Sequence, residues 1–154
     1  MHWYRIWHPT DLRWLDQAAG AAAWESLSPT EQAEALPADI VQRGQLRLRE
    51  TLSSPWGTAI LAQSDAEPVG FALLATSADG TTDEPSGVLM DLWVAPHHRR
   101  RGVGTGLQSQ AEGLFTRLGL RKLKMITGMH SLPALRFSAR HGYRAEGVLA
   151  TKVL

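Results

Sequence analysis

Cysteine is absent from the 154 residues, which excludes disulfides and thiolate metal sites and gives no sign of an oxidising compartment. No apolar run approaches the roughly 18 residues a membrane span needs. The opening Met1-His2-Trp3-Tyr4-Arg5 lacks the apolar centre of a signal peptide. Repeats, low-complexity tracts and long linkers are missing too, so a single domain over 1–154 is expected. Acidic residues nearly vanish after residue 96. Residues 97–154 hold 11 basic and 2 acidic residues, whereas 1–96 hold 5 and 13, so the net charge of +1 conceals balances of +9 and −8. Such halves fit an anionic ligand on one side and a cationic one on the other, or two halves that simply attract each other. With 44% hydrophobic residues the chain can bury a core, and a soluble cytoplasmic protein with no membrane partner is expected.

Hydrophobic spacing lays out the elements. Tyr4-Arg5-Ile6-Trp7 reads as a first strand stopped by Pro9, and Thr10 is placed to cap a helix carrying Leu12, Leu15 and Ala19. Ser28 and Glu31 have capping-box spacing around Pro29, which opens a second helix. Pro37 breaks it, and helix resumes over 38–52. Residues 58–62 and 69–74 read as strands joined by Asp65-Ala66-Glu67-Pro68, and a polar loop leads to a strand over 88–94. An amphipathic helix follows, with Val103, Leu107, Ala111, Leu114, Phe115 and Leu118 in one stripe and Gly119 at its end. A strand over 123–127, a helix opened by Ser131-Leu132-Pro133 and closed by Gly142, and a strand over 148–154 complete the chain. The pattern is α+β, a mixed and mostly antiparallel sheet flanked by helices.

The most informative segment runs from a strand through Arg99-Arg100-Arg101-Gly102-Val103-Gly104 into that amphipathic helix. Glycine leaves the backbone N–H groups open to close approach, the helix start adds partial positive charge, and three arginines add more. An oxyanion held there by several charge-assisted bonds of roughly 1.5–3 kcal/mol each would be bound firmly. No Gly-Lys-Ser/Thr follows, so this is not a Walker loop.

Arg99, Gly102 and Gly104 meet the pattern Arg/Gln-x-x-Gly-x-Gly/Ala, and the late Gly142-Tyr143 is similar to a usual Gly-Phe. On these residues and the element order, the chain resembles the GCN5-related N-acetyltransferases along nearly its whole length. The resemblance implies acetyl-coenzyme A as co-substrate, without a metal. It implies that amides of Arg100, Arg101, Gly102, Val103, Gly104 and Thr105 cradle the pyrophosphate, with Arg99 opening the motif. It also implies that the strand around Leu92, Trp93 and Val94 splays from the 123–127 strand and receives the pantetheine arm. The Val94 N–H then polarises the thioester carbonyl. Arg136 and Arg140 lie one turn apart, either near the 3′-phosphate or on a solvated face.

Acyl transfer to an amine requires removal of a proton from an ammonium of pKa about 10.4, roughly 4 kcal/mol at neutral pH, whereas a thiolate leaving group of pKa about 8.5 needs less help. A base therefore matters more than an acid. Asp91, inside an apolar strand, is the candidate base, and period-two counting puts it on one face with Leu89 and Trp93. Its other reading is an anchor for a neighbouring backbone group or arginine. The tyrosine many members use as acid is Ser138 here, and the frequent asparagine is Ser131. His130 and His141 are substitutes. The resemblance implies that the first two helices and their loop form the acceptor side, where Trp24, Glu25, Glu31 and Glu34 suggest an aromatic, negative wall for a small-molecule or peptide amine, with Trp24 equally readable as core; Asp83 and Glu84 could attract the same cation. Two other readings stand beside this one. One is an acyl-coenzyme A sensor of little activity. The other is a nucleic-acid module using residues 97–101 with Arg121, Lys122 and Lys124, which the acidic N-terminal half opposes. Nucleic acid is not an expected partner; a homodimer is open.

Overall fold

A computed structural model describes residues 1–78, 84–147, 150 and 152 of the chain. Strands His2–Ile6 (β1), Gly57–Ser64 (β2), Glu67–Ala78 (β3), Pro85–Val94 (β4) and Leu123–Met125 (β5) form one sheet in the order β1-β2-β3-β4-β5. The first four pair antiparallel, and β5 joins β4 in parallel. Helices Leu12–Glu25 (α1), Pro29–Glu34 (α2) and Pro37–Ser53 (α3) lie between β1 and β2 in the chain. Val103–Arg117 (α4) makes the crossover from β4 to β5, and Leu132–Arg140 (α5) follows. The α+β architecture and element order are those read from the sequence. The strand expected over 148–154 lies outside the described residues except at 150 and 152, and Asp83 lies outside them too.

Both sheet faces are covered, which is why the middle strands read as unbroken apolar runs. Ile60, Ala62, Ala72, Leu74 and Leu89 meet Val103, Leu107, Ala111 and Phe115 of α4 on one face. Ala59, Leu61, Phe71 and Leu73 meet Leu15, Ala18, Ala19 and Ala22 of α1 and Leu48 of α3 on the other. The two helices on that side touch backbone to backbone: a Cβ on Gly44 would stand 2.6 Å from the Ala19 carbonyl oxygen. Only a glycine allows that approach.

Three details differ from the sequence reading. The first helical turn is capped not by Thr10 but by His8 and Asp11, whose side chains form a reciprocal capping box around Pro9–Asp11. Asp11 takes the His8 N–H at 2.7 Å and both ends of the Arg5 guanidinium, so its acid is spoken for by three donors. Leu118, expected in the buried stripe of α4, falls beyond the helix end and is 61% exposed, while Gln108 sits fully buried within that stripe. The third difference is a bulge. Leu73 pairs with Asp91 and Leu74 with Leu89, leaving Met90 as an extra residue in β4. Leu89 therefore joins the α4 face, while Met90, Asp91 and Trp93 turn toward α1 and α3.

Candidate active site

Beyond β4 the chain makes a short 3-10 turn over Pro96–His98 and then enters α4 through two left-handed residues, Arg100 (φ 61°) and Gly102 (φ 83°). Left-handed backbone ahead of a helix gathers successive N–H groups toward one hollow. The amides of His98 and Arg99 close the 3-10 turn, and the next amide with a backbone partner is Gly106, which reaches the Gly102 carbonyl at 2.9 Å. Among the described residues, no amide from Arg100 to Thr105 makes a well-aligned hydrogen bond to a backbone acceptor, although residues 99–102 fold as turns whose amides lean toward protein carbonyls. Val103 and Leu107 are buried on the sheet, so the helix carrying this hollow is fixed by its core face. Arg100 and Arg101 are exposed beside it.

Among the described residues, the adjoining edge of β4 is unpaired beyond Leu89. Parallel pairing with β5 involves only Gly87, Val88 and Leu89, while β4 runs on to Val94. The Trp93 carbonyl points toward β3, 2.9 Å from where a Gly70 Cβ would stand, and the Ala95 N–H reaches the Val69 carbonyl at 2.9 Å. Across the planar trans peptide, the Val94 N–H therefore points away from β3, onto the open edge. A Cβ on Gly104 would lie 3.5 Å from Leu92 and from Phe137 of α5, and 3.9 Å from Val94. The start of α4, the end of β4 and the Phe137 ring are thus neighbours at Gly104.

On the helical side of that strand, two carboxylates each meet an arginine. Arg47 of α3 places Nη2 at 2.9 Å from both oxygens of Asp91, whose side chain is only 14% exposed. Burial pushes the Asp91 carboxyl above the ordinary aspartate value, and the neighbouring guanidinium offsets only part of that rise. Glu25, at the end of α1, accepts from Arg99 Nη2 at 2.5 Å and from Trp93 Nε1 at 3.3 Å. Arg99 Nε donates to the Val94 carbonyl at 2.8 Å, and its guanidinium lies 6.0 Å from the Trp93 ring centre. The Arg99 side chain thus braces the strand end against α1 rather than facing the amide hollow. Trp14, Phe71 and Trp93 contact one another in the core on the α1 face, and Trp24 is half-buried outside that cluster.

Residues 16–143 match the acetyltransferase (GNAT) family. The chain belongs to that family. A curated relative, the uncharacterized N-acetyltransferase YhfO of Bacillus subtilis, is 26% identical over 109 residues, covering 71% of this chain and 73% of its own. Among solved structures, the putative acetyl transferase from Pyrococcus furiosus is similar with a TM-score of 0.84 at 15% identity, covering 100% of both chains. The aminoglycoside N-acetyltransferase AAC(6')-Iy, solved in complex with CoA, gives 0.70 at 18% identity over 99% of this chain and 95% of that one. At such identities these structures speak for the GNAT fold.

Within this GNAT chain the expected acid is poorly placed for proton donation. Ser138 donates its hydroxyl proton to the Leu135 carbonyl one turn back, at 2.9 Å. Ser131 caps α5 without a side-chain hydrogen bond. His141 stacks on Phe137 at 4.1 Å and contacts that residue's carbonyl, while His130 contacts the Ser26 carbonyl at 3.0 Å. Arg136 and Arg140 are exposed on α5, and Glu84 lies 3.8 Å from Lys122. Sequence reasoning missed two groups. Arg47 carries no local signal, because its partner is 44 residues away. The second is Gln108, whose Nε2 donates to the Tyr143 hydroxyl at 2.7 Å and ties the end of α5 to α4. A glutamine inside an apolar stripe was the available clue. Among the described residues, no three His, Asp or Glu gather as a metal site, and no helix is long and apolar enough to cross a membrane.

Proposed function

We propose that the protein transfers an acetyl group from acetyl-coenzyme A to a primary amine. One observation carries this reading: among the described residues the amides of 100–105, at the start of α4, make no well-aligned protein hydrogen bond, and they lie beside the part of β4 that runs past its pairing with β5. A row of backbone donors at an accessible helix start, where the helix adds partial positive charge, fits a diphosphate. The exposed Arg100 and Arg101 add positive charge at the rim. The edge at Leu92 and Val94 suits a peptide-like arm that pairs as a strand does: the Val94 N–H is aimed to polarise a carbonyl, while the Val94 carbonyl on that edge already accepts from Arg99 Nε.

Transfer forms a C–N bond and breaks the C–S bond, whose electron pair leaves on sulfur; the amine loses a proton and the thiolate gains one from solvent. In this reading Asp91 accepts the amine's proton. Its carboxyl, raised by burial, is a stronger base than an ordinary aspartate. Trp93 and Glu25 form the wall along which the amine enters. The named neighbours include aminoglycoside acetyltransferases, which extends the acceptor classes worth testing to aminoglycosides. Thermal-shift screening with acyl-coenzyme A species, followed by thiol release with a panel of amines, tests the proposal. A sensor is the second reading, favoured by Ser138 and Asp91 both being engaged with protein groups. Stabilisation by acetyl-coenzyme A with no thiol release from any amine would establish the sensor and end the enzyme reading.

A further inference from the structure

Two segments distant in sequence meet beside the end of β4. His130, in the loop between β5 and α5, places Nε2 3.0 Å from the Ser26 carbonyl at the end of α1, 104 residues away. A carbonyl only accepts, so Nε2 carries the proton and donates. Ser26 caps the C-terminus of α1, where carbonyls lack intrahelical donors and partial negative charge gathers, so an imidazole N–H is a suitable partner. The imidazole is also supported from behind. The Ser131 N–H reaches the Gly128 carbonyl at 3.0 Å, and the turn lays the His130 ring so close over Gly128 that a Cβ there would collide with its Cε1.

This contact completes a ring. Leu89 of β4 pairs with Met125 of β5, and the chain runs on from Met125 to His130. His130 meets Ser26, whose neighbour Glu25 accepts from Trp93 Nε1, and β4 leads from Trp93 back to Leu89. The β4 side spans four residue steps of about 3.3 Å, at most about 13 Å, and carries Asp91 and Leu92. The facing side carries Ile126 and Met129, 88% and 80% exposed. We infer that this ring is the entrance for the acceptor and that His130 sets its size, passing an amine borne on a slender, apolar arm and holding back one borne on a bulky body of linked rings. The inference rests on the acetyl-transfer reading above. On that reading the amine must reach Asp91 and a carbonyl held at the β4 edge, and both lie along one side of the ring. The helix α4 covers the opposite sheet face from α1, so coenzyme and acceptor approach from different sides. Selection by shape also suits a rim whose acids are engaged, since Glu25 holds Arg99 and Asp91 holds Arg47.

The test compares n-hexylamine, cyclohexylmethylamine and kanamycin, each with an amino group on a methylene, in the thiol-release assay with saturating acetyl-coenzyme A. The unaltered protein should favour n-hexylamine over kanamycin by at least about tenfold in kcat/KM, with cyclohexylmethylamine between them. Two substitutions open the ring independently. His130→Ala removes the latch, whereas Gly128→Ala keeps the histidine and displaces its imidazole. Both should lower the hexylamine-to-kanamycin ratio by about tenfold, chiefly through KM for kanamycin. His130→Gln, whose side-chain amide can donate to the same carbonyl, should keep most of the preference. Each ratio is compared with that of the unaltered protein, so the amines' own reactivities cancel. A histidine that only steadies its loop would alter all three amines alike, and an unmoved ratio in both alanine variants would overturn the inference. A preference of the unaltered protein for kanamycin would overturn it too, with acetyl transfer left intact. Absence of thiol release from every amine in every variant would remove the underlying reading and this one with it.

Discussion

Gly104→Glu separates folding from coenzyme binding more cleanly than any other single change at the bend. A Cβ at this position meets Leu92 and Phe137 at 3.5 Å, ordinary van der Waals distance, so the first atom of a side chain enters without displacing the core. Replacing a helical glycine recovers up to about 1 kcal/mol of backbone entropy, and an acid in the first turn of α4 gains about 0.3–1 kcal/mol from the helix dipole. The fold should therefore melt at the same temperature or slightly higher. Binding moves the other way. The new side chain starts beside Leu92, Phe137 and Val94, and a carboxylate carried past them toward solvent at the start of α4 competes for amides that a diphosphate would use. Loss of one charge-assisted hydrogen bond costs about 1.5–3 kcal/mol, a weakening of about ten- to a hundredfold before like-charge repulsion is added. Calorimetric titration with coenzyme A, alongside thermal melting, reads both quantities on one sample. Gly104→Ala is the control, expected to retain affinity. Undiminished affinity in Gly104→Glu would refute the amide cradle outright.

Three further outcomes follow from named contacts. Asp91→Asn should lower kcat by about 10²–10⁴, the usual worth of a general base, whereas Ser138→Ala, whose hydroxyl is committed to the Leu135 carbonyl, should change it by less than about tenfold. Small and equal losses would leave catalysis to positioning and desolvation. Because burial raises the Asp91 carboxyl and Arg47 opposes that rise, the acidic limb of the kcat/KM profile should lie above the ordinary aspartate range. In Arg47→Met it should move higher still, and an unmoved limb would disqualify Asp91 as the base. Asp11 behaves oppositely: hydrogen bonds from Arg5 hold its carboxyl below the usual value. Its contribution to stability is therefore present above the unfolded-state value and lost as pH falls through the folded-state one. Asp11→Asn should cost about 1–3 kcal/mol at neutral pH, and denaturant melts of variant and parent should converge in acid.

What could be read from the sequence was what local sterics dictate. Gly102 occupies a left-handed position, which glycine adopts without penalty, and Gly119 and Gly142 close their helices in the same conformation, so their places in the pattern carried real information. The apolar runs of β2 and β3 announced a sheet buried on both faces. Side-chain partners were less accessible. Arg99 fits the motif by position, yet its guanidinium serves the Val94 carbonyl and Glu25, a choice made by the packing of α1 rather than by neighbours in sequence. Trp14 and Trp24 share one helix, and their separation of about 15 Å along its axis together with their angular phase decides that Trp14 meets Trp93 while Trp24 does not. Arg47 was invisible for the same reason: one charged residue on an exposed helix face is identified only when the strand beneath it is known.

The bulge at Met90 connects these observations. Period-two counting succeeded from Val94 back to Asp91 and failed at Met90 and Leu89, because the extra residue reverses the alternation there. It sits immediately after Leu89, the last residue of β4 that pairs with β5. A bulge adds local twist and bends the strand that carries it, so one inserted residue both directs Asp91 and Met90 toward α3 and turns the remainder of β4 away from the parallel neighbour. The direction of the candidate base and the opening of the edge beside the start of α4 then share a cause. That cause lies in strand pairing, not in any residue's intrinsic preference, since Met-Asp-Leu-Trp-Val alone is compatible with an unbroken strand.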